Sequence, residues 1–133
     1  MAPRHQLWLG LVQINVTDLG EAWRFYADTL GLPGAERLGR GKPFHLAVEG
    51  APEVLVYRVE RMALRHYPDD TGVTLVFYTP DIKATVADWK AKGVEFVPIA
   101  WSRDKSGIAE TPFGPFIAFR DPFGNVHELL QPG

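Results

Sequence analysis

"NVTDLGEAWRFYADTLGL", residues 15–32, carries both ends of a helix. Asp18 can cap the N-terminus, Glu21 stands three residues on as in a capping box, and Gly31 follows the last apolar position as a left-handed stop. Ala22, Trp23, Phe25, Tyr26 and Leu30 give the helix a broad apolar face, and such a face has to lie on a sheet. The first strand of that sheet precedes it. From Leu11 to Val16 the polar Gln13 and Asn15 alternate with Val12, Ile14 and Val16, the period of a strand whose two sides are solvated differently.

The same order returns in "VTLVFYTPDIKATVADWKAKGVEFV", residues 73–97. An apolar strand is followed by Asp81 as cap, by Ile82, Val86 and Trp89 at helical spacing, and by Gly93 as stop. Each helix is trailed by short strand candidates: 35–39, 44–49 and 53–59 in the first half, 94–100, 115–120 and 125–130 in the second. The unit is β-α-β-β-β, used twice. Module one spans about residues 7–60 and module two about 73–131. Between them "ERMALRHYPDDTG", residues 60–72, has no strand period and ends in turn residues, so it reads as a linker.

One helix for each set of four strands excludes a parallel α/β fold. The expected class is α+β, with two tandem βαβββ modules forming curved mixed sheets around a central cleft. Each helix covers one sheet face, so the other must meet a second sheet, a partner chain or a ligand. That open side carries Leu11, Gln13 and Asn15 in one half and Thr74, Val76 and Tyr78 in the other. Mixed polar and aromatic walls of this kind suit a small-molecule pocket.

Composition narrows the function. A chain of 133 residues, 46% of them hydrophobic, can bury a core of its own. Fourteen basic residues against sixteen acidic ones leave no cationic run, which argues against nucleic acid. With no cysteine, thiolate metal sites are excluded and a reducing, cytoplasmic setting is expected. "LWLGLVQINV", residues 7–16, is interrupted by Gln13 and Asn15 and reads as a strand, neither a signal peptide nor a membrane span.

The closing stretch "FRDPFGNVHELL", residues 119–130, sets a tight turn between two apolar strands and plants Glu128 in the second. With "NVTDLGEAWRFYADTLGL" and the paired βαβββ order, it makes the chain resemble the vicinal oxygen chelate superfamily, which includes glyoxalases, bleomycin-resistance proteins and extradiol dioxygenases. The resemblance covers roughly residues 7–131. It implies the glyoxalase/bleomycin-resistance fold, and, for enzymes of the family, a divalent metal held by ligands on the first and last strands of each module, where it acts as a Lewis acid.

The matching positions fall seven residues before each capping aspartate and on the last strand of each module. They are Leu11, Thr74, Leu55 or Tyr57 (Val54 or Val56 in the other register), and Glu128. Only Glu128 is a credible ligand, and a metal site needs at least three. A register slip of two substitutes Gln13 in the first half but Val76 in the second. His5 precedes the first strand, His66 lies in the linker, and His127 faces away from Glu128 by alternation. His45 is the one histidine placed to reach the pocket. No cofactor is therefore expected, with a divalent metal on Gln13, His45 and Glu128 as the alternative.

Asp121, Pro122, Gly124 and Asn125 read as turn chemistry. Trp23 and Trp89 lie on helix faces and read as core, while Trp8 is less constrained. Trp101 opens "WSRDKSGIAETPFG", residues 101–114, read as a flexible rim or lid with the indole as a stacking surface. Glu128 is either a tolerated polar residue bonded to a neighbour or a ligand-binding carboxylate. The favoured reading is a metal-free small-molecule binding or sequestering protein of the bleomycin-resistance type, with Gln13, Asn15, Tyr57, Thr74, Tyr78, Trp101 and Glu128 as contacts. The resemblance also implies a homodimer. The rival is a metal-dependent lyase, isomerase or dioxygenase.

Overall fold

Two runs of alternating hydrophobicity, each interrupted by a capped helix, build two separate sheets. The computed structural model describes residues 9–37, 42–50, 52–63, 67–68 and 73–133. His5, Trp8, His66 and the end of the 35–39 strand candidate lie outside the described residues. The chain divides into two compact units, Met1–Met62 and Ala63–Gly133.

The first unit runs β1 (Leu11–Val16), α1 (Leu19–Trp23), a π-helical stretch (Arg24–Thr29), β2 (Gly34–Arg37), β3 (Phe44–Leu46) and β4 (Glu53–Arg58). The sheet order is β1-β4-β3-β2, with β1 parallel to β4 and the other pairs antiparallel. Asp18 caps α1 as expected, its carboxylate accepting from the Glu21 N–H at 2.8 Å. A regular helix up to Leu30 is not what forms. Leu30 N–H donates five residues back to the Phe25 carbonyl, at 2.9 Å. Neighbouring α-helical positions point about 100° apart, and the wider π turn narrows that angle. Phe25 and Tyr26 are thereby both buried, packed edge to face with ring centroids 5.0 Å apart. Gly31, at φ +79°, then lets Leu32 N–H reach back to the Tyr26 carbonyl and close the helix. Ile14, Val16, Phe44, Leu46, Val54 and Val56 are the sheet's buried contribution to this core.

The second unit runs β5 (Val76–Tyr78), α2 (Ile82–Ala91), β6 (Glu95–Val97), β7 (Phe116–Arg120) and β8 (Val126–Leu130), in sheet order β5-β8-β7-β6 with β5 parallel to β8. Asp81 caps α2 through the Ala84 N–H at 3.1 Å. Ile82, Val86 and Trp89 are buried as their spacing predicts. Phe119 is the hub, wholly buried, with the rings of Trp89, Phe77, Phe96 and His127 around it at centroid distances of 5.1, 6.1, 6.4 and 5.5 Å. The strands are shorter than predicted, β6 most of all. Its expected extension to residue 100 fails because Ile99 N–H turns aside to the Gly107 carbonyl.

The turn between β7 and β8 is organised by one buried side chain. Asp121 accepts from the N–H groups of Phe123 at 2.9 Å and Asn125 at 2.8 Å, and its second oxygen accepts from the Asn125 side-chain amide at 2.7 Å. Asp121→Ala would strand these donors, and should cost about 1–3 kcal/mol in a urea-unfolding measurement. A change below about 0.5 kcal/mol, the range of ordinary surface substitutions, would refute that role for the carboxylate.

Candidate functional site

Alternation along each strand fixes which side chains are left over once the helix-facing core is filled. In the first unit β1 buries Ile14 and Val16 and turns Leu11, Gln13 and Asn15 the other way. β4 buries Val54 and Val56, which leaves Leu55 and Tyr57 on the open face, the first of the two registers considered from sequence. Register aligns Gln13 with Leu55 and His45, and Asn15 with Tyr57. Gln13 donates from its amide to Asn15 Oδ1 at 2.8 Å. His45 Nδ1 meets Glu53 Oε1, a diagonal contact on the same face. Gln13, Asn15, Tyr57 and His45 thus share one surface. Leu11, where the family motif would put a metal ligand, is a half-exposed aliphatic residue opposite Glu53.

In the second unit the helix-facing side takes Ile117, Phe119, His127 and Leu129. The opposite side carries Val76, Tyr78, Phe116, Ala118, Val126, Glu128 and Leu130. His127 points away from Glu128 as alternation requires. Its ring is packed edge-on against Phe77, and burial pushes its pKa down to about 4. Glu128 lies between Val76 on β5 and Ala118 on β7, neither of which can donate to it or coordinate a metal. Arg120, two residues along β7 from Ala118, is engaged by Glu95 at 3.0 Å.

What meets Glu128 is a residue read only as linker. The Tyr67 hydroxyl donates to Glu128 Oε2 at 2.5 Å. Its ring packs on the cluster of Ile99, Ala109, Phe116, Ala118 and Val126 that covers this part of the sheet. Burial first, then the bond to Glu128 and its charge, raise the phenol pKa above its ordinary value. Thr74 is half-buried just before β5, while Tyr78 and Trp101 are 72% and 65% exposed. Trp101 leans on Phe116, with ring centroids 5.9 Å apart.

The segment expected to be a flexible rim is cross-braced. Ser102 Oγ donates to the Ile108 carbonyl, Asp104 accepts from Ser106 N–H, and Ala109 bridges to Phe116 in both directions. Ile99, Ile108 and Ala109 are buried. The apolar residues scattered through this polar stretch are its anchors. The segment itself walls a groove of about 1070 Å³, lined by Trp101, Arg103, Lys105, Lys83, Ile82 and Gln131 among others; neither Glu128 nor Tyr67 lines it. At the N-terminus of α2 in its wall, Ile82 N–H donates to Gln131 Oε1 at 2.9 Å and Ala84 N–H to Asp81 Oδ1.

A metal held as in the family's enzymes does not fit these residues. Leu11, Thr74 and either Leu55 or Tyr57 occupy the other ligand positions, and Glu128 has a phenol for its neighbour. Among the described residues no three His, Cys, Asp or Glu side chains are grouped for a metal. Nor is any helix among them long and apolar enough to cross a membrane.

Comparison with known proteins identifies the family and the fold. A family model for the Glyoxalase/Bleomycin resistance protein/Dioxygenase superfamily matches residues 8–129. The crystal structure of TnmS3, an antibiotic binding protein from Streptomyces sp. CB03234, is 26% identical to the chain; the match covers 98% of this chain and all 100% of that one, with a TM-score of 0.68. A glyoxalase/bleomycin resistance protein from the same Streptomyces is also 26% identical, with 92% and 98% covered and a TM-score of 0.63. The fosfomycin resistance protein FosX from Listeria monocytogenes, 17% identical over 96% and 95% at a TM-score of 0.72, shows the shared fold alone. No curated protein matches the chain.

Proposed function

The chain belongs to the glyoxalase/bleomycin resistance protein/dioxygenase superfamily, and we propose that it serves there as a binding protein, holding a small, partly apolar, aromatic-friendly molecule without a metal. The observation that carries this reading is the company Glu128 keeps. In place of further metal ligands it has a tyrosine hydroxyl, two aliphatic cross-strand neighbours and a covered apolar cluster. Among the described residues a chemistry that depends on a Lewis acid has no donor set to rest on, whereas apolar walls with a few polar groups are what ligand uptake needs. The likeness to an antibiotic binding protein over nearly the whole chain supports the same choice.

Gln13, Asn15 and Tyr57 on the first sheet, and Thr74, Tyr78, Trp101 and Glu128 on the second, are the proposed contacts. The proposal includes a homodimer in the cytoplasm. Val73, Val76 and Tyr78 are exposed apolar side chains of the kind that a second chain or a ligand covers, and a cysteine-free chain suits a reducing compartment.

The test has two arms. Protein purified without chelators should carry no stoichiometric metal, and calorimetric titration with nickel, zinc, manganese and ferrous iron should give no tight binding. N-Phenyl-1-naphthylamine, a neutral aromatic probe, should bind saturably. Near-stoichiometric metal would overturn the metal-free reading, and a probe that never saturates would overturn the binding one.

A further inference from the structure

Glu128 presents a carboxylate in an unusual state of half-satisfaction. One oxygen, Oε2, takes the Tyr67 hydroxyl at 2.5 Å. The cross-strand neighbours on either side, Val76 and Ala118, bring no donor, and among the described residues the cation on the same face, Arg120, is taken by Glu95. The carboxylate is half-buried, over a cluster that includes Phe116, Ala118 and Val126. Its other oxygen, Oε1, takes no hydrogen bond from any described side chain and is not sealed from solvent, so a charged donor can reach it.

We infer that Glu128, oriented by Tyr67 through Oε2, is the selector of this site and takes the protonated amine of an aromatic ligand. The inference rests on the binding reading above and adds the chemical class of the ligand. Tyr67 is a positioning residue in this arrangement. Its hydroxyl satisfies one carboxylate oxygen and fixes the plane of the group, and its ring withholds water from that side. The remaining oxygen is then the acceptor for an N⁺–H donor, a charge-assisted bond stronger than a neutral one. The aromatic part of the ligand has partners on the same unit. Tyr78 lies two residues beyond Val76 on β5, and Trp101 leans on Phe116, both largely exposed. Indole and phenol faces favour a cation or a flat ring.

A matched pair of fluorescent probes tests this on the whole chain at pH 7: 9-(aminomethyl)anthracene, which is protonated, and 9-anthracenemethanol, its neutral counterpart. The ammonium should bind about tenfold more tightly, the worth of one hydrogen bond to a charged group. Glu128→Gln, close to isosteric, should bring the two probes to equal affinity. Tyr67→Phe keeps the carboxylate but releases it, and should shrink the preference for the ammonium without abolishing it, a change in the ratio of the two affinities that a merely structural role would not produce. Equal affinities in the unaltered protein, or a preference that persists in Glu128→Gln, would overturn the inference and leave the binding function standing. If neither probe binds while N-phenyl-1-naphthylamine saturates, the inference falls and the binding function stands; if none of the three binds, both fall. The comparison in the unaltered protein needs no variant to fold, so instability of Glu128→Gln does not rescue the inference.

Discussion

Phe119→Ala is expected to remove about 3–5 kcal/mol of stability, the usual cost of truncating a buried aromatic ring, and to move the urea midpoint far down. The side chain is wholly buried and contacts four other rings, from α2, β5, β6 and β8. Its loss would open a cavity that no single neighbour can fill, since each is fixed on a different element. Domains of this size are stable by only about 5–15 kcal/mol, so the change is a large share of the whole. Urea unfolding followed by tryptophan fluorescence reads it directly, because Trp89 packs edge-on to the ring. Phe119→Leu restores most of the volume and should recover more than half of the loss. A cost below about 1 kcal/mol for the alanine variant, the level of a mild core substitution, would mean that the second unit does not depend on this hub.

How far these features were legible in the sequence depends on the range of the interaction concerned. The helix starts at Asp18 and Asp81 were readable because capping is settled within four residues, and the strand faces because side chains alternate with period two. His127 and Glu128 were assigned to opposite faces on that rule alone, and the structure places them so. The order β-α-β-β-β, repeated, follows from these local signals; the sheet order, which sets the first strand of each unit beside the last, does not. The Tyr67–Glu128 bond was not legible. It joins residues 61 positions apart, and Tyr67 stands in a stretch with no period to say which way a side chain points. His45 and Glu53 were both visible as polar residues on short strands, but their pairing is a diagonal that exists only once register is known. The π-helical stretch was hidden for a different reason. Its bonds carry no capping residue of their own and respond to the need to bury two adjacent aromatic side chains.

Acidification should expose the cost of burying His127. The imidazole is packed between Phe77 and Phe119, and its pKa is pushed down to about 4 from an unfolded value of 6.5. The sign follows from proton linkage. Above pH 6.5 the ring is neutral in both states and costs nothing; between 6.5 and 4 the unfolded chain binds a proton that the folded one refuses, so stability falls as pH falls. The full difference is on the order of 3 kcal/mol, and most of it is spent by pH 4.5. Urea unfolding at pH 7, 5.5 and 4.5 should therefore show a steep decline in the unaltered protein. His127→Leu, which fills a similar volume without a titrating group, should flatten that part of the decline while keeping the carboxylate contribution common to both proteins. Relative to the unaltered protein, His127→Leu should gain on the order of 2 kcal/mol between pH 7 and 4.5, whatever the constant packing cost of leucine. Parallel curves would show that the imidazole takes up its proton within the folded core, through a rearrangement of the Phe77 and Phe119 rings around it.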